Sequence, residues 1–249
     1  MHPLYAFAFD SGFMTTSTAG PRNMKIDERF VEQFFSNAST TLSSSPFGKE
    51  IEWQRSNSLC SISEQDFLRE TAWVIINSGF KEKTARKLFG YIEIAFQNFA
   101  SAEIMLAEAD LSLEIALNVL NHPGKLKGII AAAERVKENG FETFRRKIES
   151  RPYETLQSIP FIGETTVRHL AKNLGLNVAK PDRHLVRLAK AAQFDSVDSM
   201  CTHLSRVFSE QVKVIDLILW RFMAESPAAL DTFSKSFKLQ ASVTLTHDS

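Results

Sequence analysis

Two amphipathic runs separated by residues that cannot continue a helix constrain this chain more than any other stretch. Arg151-Pro152 opens a short run that ends near Ser158. Pro160 cannot extend it, because its ring clashes with the preceding turn and it lacks an amide proton. Gly163 admits backbone angles that other residues avoid, at the start of the next helix. Val167, Leu170, Ala171 and Leu174 then recur at i, i+3, i+4 and i+7, and Asn173-Leu174-Gly175 closes that helix. Residues 152–174 therefore read as helix, tight hairpin, helix.

The rest of the chain is predicted to be all-α. Gly is sparse, at 10 of 249 residues, and no persuasive pair of strands or repeat of fixed period is present. Residues 1–25 read as a loose N-terminal extension broken by Gly20 and Pro21. A first helix is expected over Lys25–Asn37, and the Ser/Thr-rich stretch Ser36–Gly48 reads as a loop. Ser63-Glu64-Gln65-Asp66 resembles a capping box ahead of a helix that Gly79 ends. Lys81–Phe99, Leu111–Leu120, a run from Asn121-His122-Pro123 to Gly140, and Phe141–Ser150 follow. Further helices begin near Asp182, Val197, Glu210 and Ser226-Pro227. Two cysteines, Cys60 and Cys201, are too few for a disulfide framework or a four-thiolate metal site. With no apolar run of about 18 residues and no credible signal peptide, no membrane partner is expected, and a cytoplasmic protein is.

The charge is uneven. The chain has a formal net charge of +0, yet Lys125–Lys190 holds fourteen lysines and arginines against seven acids. A basic half suits a one-sided phosphate contact, and it equally suits a set of solvated helix faces. At a helix-hairpin-helix the first amides of the second helix lack intrahelical partners and the dipole adds partial positive charge. A phosphate oxygen fits there without any base contact. An αα-hairpin inside a bundle has the same pattern. Beyond it, Val178-Ala179-Lys180-Pro181-Asp182-Arg183-His184-Leu185 places one carboxylate on a Pro-stiffened strap at a predicted helix start, where Asp is also a good N-cap.

The segment Ile159-Pro160-Phe161-Ile162-Gly163-Glu164-Thr165-Thr166-Val167, followed at family distance by Asp182-Arg183-His184-Leu185, resembles the helix-hairpin-helix/Gly-Pro-Asp superfamily of base-excision DNA glycosylases, the endonuclease III-like group. The usual hairpin there reads Leu-Pro-Gly-Val-Gly, two residues, then Thr-Ala or similar. The motif covers roughly forty residues, and the helical layout from about residue 60 is compatible with it. This chain departs from the pattern three times. Phe161 replaces the first hairpin glycine. Thr165 falls where bifunctional members carry a nucleophilic lysine, and Thr cannot form a Schiff base. The four-cysteine iron–sulfur loop is missing.

The resemblance implies two helical lobes flanking a DNA-binding cleft, with one glycosylase domain over residues 26–249. A helical barrel lobe would take about 63–180, and a second lobe about 26–58 plus 182–240. It implies a monofunctional DNA glycosylase that flips out a modified base and hydrolyses its N-glycosidic bond. Asp182 would be catalytic, stabilising the sugar cation and, second, activating water. Ile162, Gly163, Thr165, Thr166, Arg168, Arg183 and His184 would contact DNA. Phe80 and Trp53 are candidates for base pocket or wedge, whereas Trp73 and Trp220 fit helical core patterns. Asp216, on an otherwise apolar helix, needs a partner if buried. The expected partner is double-stranded DNA carrying a modified base, bound by a monomer that is nucleoid-associated if bacterial. No metal and no cofactor is required, beyond at most a monovalent cation at the hairpin backbone. The alternatives are a catalytically inactive DNA-binding protein, or a glycosylase/lyase using a displaced lysine such as Lys172 or Lys180. The missing lysine shifts weight towards alkylated or otherwise modified bases.

Overall fold

A computed structural model describes residues 26–236, so the proposed extension over 1–25 and the chain beyond 236 lie outside it. The fold is all-α: no strand occurs among the described residues, and none of their helices is long and apolar enough to cross a membrane. The order is α1 (Ile26–Ser43), α2 (Gly48–Ser56), α3 (Glu64–Asn77), α4 (Glu82–Ala95), α5 (Ala102–Ala107), α6 (Ala109–Val119), α7 (Pro123–Asn139), α8 (Phe141–Ser150), α9 (Pro152–Gln157), α10 (Glu164–Asn173), α11 (Arg183–Ala191), α12 (Val197–Phe208) and α13 (Val212–Glu225). A last helix, α14, covers 229–236 within the described residues.

Buried apolar side chains fall into two clusters. The first is drawn from residues 59–174 and centres on α3, α4, α7 and α10, with Phe67, Ile75, Phe96, Leu126, Ile129 and Leu170 among its members. The second combines α1 and α2 with α11–α14 through Phe34, Ile51, Leu185, Leu204, Ile218 and Leu230. The chain passes between them twice, near Ser58 and again near Gly175. The two passes touch: a Cβ on Gly175 would sit 2.6 Å from the Ser58 Cα, and Gly175 adopts φ +93°. Both features demand glycine. Polar side chains satisfy the backbone there. Gln54 donates to the Lys172 carbonyl at 3.1 Å, Asn57 to that of Asn173, and the Lys213 ammonium to those of Asn57 and Gly175. These carbonyls belong to the end of α10 and its continuation and to the C-cap of α2.

Several elements differ from the sequence expectation. The Ser/Thr stretch is not a loop, since α1 runs to Ser43. Ala38 and Leu42 extend its buried face, and the Thr40, Thr41 and Ser43 hydroxyls bond back to carbonyls four residues earlier. Helix α2 was not anticipated. The helix expected to reach Phe99 stops at Ala95. Gln97, Asn98 and Phe99 take left-handed angles, and Phe99 is buried against Phe96 and Phe89. The capping box is as expected, with Ser63 and Asp66 bonding reciprocally.

The hairpin shows the most instructive difference. Gly163 is an extended N-cap residue with φ −96°, and the left-handed residue is Phe161, φ 69°. A left-handed non-glycine costs about 1–2 kcal/mol. Packing offsets it: the Phe161 ring lies across α7, where a Cβ on Gly124 would come within 2.9 Å of it and one on Gly128 within 3.0 Å. The His122 ring meets it edge-on at 5.8 Å. Two glycines one turn apart thus make a shelf for the aromatic that replaces the hairpin glycine. Gly128→Ala should destabilise the fold by about 1–3 kcal/mol through overpacking. Adding Phe161→Gly should recover most of that loss, as measured by urea unfolding of both single variants and the double.

Candidate functional site

Helices α9 and α10 form the helix-hairpin-helix, and its turn lines an open groove of about 480 Å³ with Ser78 on the facing turn. The hairpin is partly self-satisfied. Thr166 Oγ1 accepts from the Gly163 amide at 2.8 Å and donates to the Phe161 and Gly163 carbonyls. The Ile162 amide is bonded to the Ile159 carbonyl, and its side chain is buried. The amides of Glu164 and Thr165 have no partner among the described residues, and they open to the same groove. Two orphan donors at a helix N-terminus are what an anion needs. Arg168, expected to add charge there, is otherwise engaged. It makes two 2.8 Å contacts with the Asp198 carboxylate and lies 5.6 Å from the Tyr153 ring centroid. Arg183 is exposed on α11.

Beside the hairpin, the Ser78–Phe80 turn is fixed by a buried ammonium. Lys125 donates to the carbonyls of Ile75, Ile76 and Ser78, the last of which α3 cannot satisfy itself, and sits 5.1 Å from the Phe80 ring centroid. Burial pushes its ammonium below the ordinary lysine value. Phe80 is exposed; it lines neither the hairpin groove, to which its turn contributes Ser78, nor the larger cavity described next.

That cavity, of about 650 Å³, is walled by α2, α3, α4, α10, α13 and the strap after α10. All three tryptophans line it. Trp53 was expected near such a cleft and is 44% exposed. Trp73 and Trp220, expected in the core, are half-buried and also face the cavity. The helical pattern missed this because a cavity wall between two cores repeats with the same period as a core face. Charged groups complete the lining and are paired. Arg69 binds Glu93 at 2.6 Å, Glu70 accepts from Asn173 at 2.9 Å, and Arg221 behind the wall holds Glu50 and Glu82. Burial pushes the Glu70 carboxyl above its ordinary value. His169 lies against Lys180 and Lys172, and burial followed by those two ammoniums holds its imidazole well below the usual range.

Asp216 sits at the base of this wall. Its side chain is 1% exposed and its Oδ1 pairs with Lys172, whose side chain is 7% exposed. Its Oδ2 accepts from the Lys180 amide at 2.7 Å. Burial raises the Asp216 carboxyl despite the ammonium beside it. The pair ties α13 to α10 and to the strap, and supplies the partner that a buried Asp216 needs. It also removes Lys172 as a free amine. Two residues on from Lys180, half-buried Asp182 caps α11. Its Oδ1 accepts from the His184 amide at 2.8 Å and the Leu185 amide at 3.1 Å. Its Oδ2 has no partner among the described residues. His184 is half-buried with Arg183 Nε 3.4 Å from its Nε2, and burial lowers its imidazole from the ordinary value. Among the described residues, no group of three or more metal-ligating side chains converges.

Breaking the pair should be costly. Lys172→Met strands a buried carboxylate and should lose about 3–5 kcal/mol in urea unfolding. Lys172→Met combined with Asp216→Leu should lose less than the single variant.

No family model matches the chain, and neither a curated protein nor a solved structure is significantly similar to it.

Proposed function

We propose that the protein is a monofunctional DNA glycosylase of the helix-hairpin-helix/Gly-Pro-Asp type. The observation that carries this is the division of labour within the Asp182 carboxylate: Oδ1 is pinned by two amides of α11 while Oδ2 is unspent. A plain cap needs only the first oxygen. The second is an oriented anion on a strap that Asp216 and Pro181 hold rigid. The two hydrophobic clusters act as the two lobes, and duplex DNA lies across the face between them. The free amides of Glu164 and Thr165 take a phosphate oxygen. The target base leaves the stack and enters the tryptophan-lined cavity, with Phe80 on its turn as the wedge.

As the glycosidic bond breaks, its electron pair leaves with the base and positive charge grows on the deoxyribose. Asp182 Oδ2 stabilises that charge electrostatically. Water then adds to the anomeric carbon and gives its proton to the same carboxylate, which passes it through solvent to the departed base and is left ionised again. Asp182 and water suffice for these steps, so no cofactor is needed, and the product is an intact abasic site.

The decisive variant is Asp182→Asn. Asn caps about as well as Asp, so the fold and its thermal midpoint should be unchanged. Release of free base from modified duplexes, read by mass spectrometry, should fall by about 100-fold or more. Wild-type excision in that variant would overturn the assignment. DNA affinity should drop steeply with salt. Borohydride should trap no covalent adduct. DNA binding with no base released from any modified duplex would leave a catalytically silent DNA-binding protein.

A further inference from the structure

Lys180 is the one charged group lining the cavity whose ionised atom has no hydrogen bond, ion pair or ring contact among the described residues. Every other charge on the wall is spent. Glu50 and Glu82 are held by Arg221, Glu93 by Arg69, Arg86 by Glu82, Asp216 by Lys172, and Glu70 accepts from Asn173. The Lys180 main chain is fixed, because its amide is bonded to Asp216 and Pro181 follows it. Its half-buried ammonium therefore belongs to the cavity wall, two residues from Asp182. The neighbourhood does not favour it. Burial and the Lys172 ammonium push it below its ordinary value, against attraction from Asp182, Asp216 and Glu82. A methionine there would avoid both the desolvation and the repulsion. A strained charge without a structural partner in a cleft is a functional candidate.

We propose that Lys180 determines substrate class: it donates to an acceptor edge of the flipped base, a carbonyl oxygen or anionic ring atom, and selects such bases over cationic alkylated ones. This rests on the glycosylase reading and narrows it. A base stacked among Trp53, Trp73 and Trp220 meets one unspent ammonium if it presents an acceptor. A cationic base meets the same ammonium as a repulsion and finds each carboxylate lining the cavity already engaged. Discrimination then comes from both the attractive and the repulsive contact. The bookkeeping of charges on the wall thus reverses the lean towards alkylated bases that the missing hairpin lysine suggested.

Four duplexes, each carrying a single uracil, hypoxanthine, xanthine or 7-methylguanine, test this by single-turnover release of free base. The wild type should release at least one of the first three faster than 7-methylguanine. Lys180→Met should lower that rate by about 10- to 100-fold, as loss of a hydrogen bond to a charged donor requires, and abolish the preference over 7-methylguanine. Its thermal midpoint should be equal to or above that of the wild type, the opposite of what a structural lysine would give. Faster release of 7-methylguanine by the wild type, undiminished release by Lys180→Met, or a borohydride-trapped adduct at Lys180 would each overturn the proposal. Release of none of the four by the wild type would count against the glycosylase reading itself and remove this inference with it.

Discussion

The arrangement depends on one buried carboxylate. Asp216 lies buried on α13, where an unpaired acid would be prohibitively expensive. Its two oxygens face different clients, the Lys172 ammonium on α10 and the Lys180 amide on the strap. α10 is the second helix of the hairpin, and the strap carries Asp182. A single side chain therefore registers the hairpin against the strap that carries Asp182. Hydrophobic contacts, being non-directional, could hold the two clusters together without fixing that register to a fraction of an ångström. The polar seam supplies direction, through Gln54, Asn57 and Lys213 on the carbonyls around the α10 end.

The seam also explains the cavity. Where the two clusters meet along α10 and α13, the buried polar groups Lys172 and Asp216 satisfy one another at the base of the cavity. A short distance away the walls diverge and three tryptophans and a ring of ion pairs face open volume. Large aromatic side chains at such an edge are bulky enough to prop the walls apart and flat enough to stack a planar ligand. The paired charges line the cavity without leaving its walls repelling one another. Only at Lys180 is that balance broken.

Much of this was legible in the sequence because it is local. The hairpin, the capping box at Ser63, the His122-Pro123 helix start and the Asp182 cap all follow from residues within four of each other. What could not be read is long-range. Trp73 and Trp220 carry core periodicity, and nothing near them indicates that their outer edge meets a void. The Ser/Thr run after Asn37 has loop composition but sits in α1 because Ala38 and Leu42 find a hydrophobic partner more than a hundred residues away. Arg168 has the position of a phosphate ligand, and a distant Asp198 claims it. In each case what surrounds the side chain is a tertiary neighbour that the local sequence does not show.

Phe161 shows how far such a motif bends without breaking. A glycine was expected at that turn because a side chain there must take left-handed angles and needs somewhere to go. This chain keeps the turn and provides the space elsewhere, at Gly124 and Gly128 on α7. The same helix carries Lys125, which fixes the Ser78–Phe80 turn from beneath. The first two turns of α7 consequently support two exposed aromatics, Phe161 at the groove and Phe80 on the facing turn, so the hairpin and that turn share one footing. What the backbone does here is set by a left-handed Phe161, an extended N-cap at Gly163 and two amides without partners among the described residues, and the glycines that make room for the ring lie on the helix behind it.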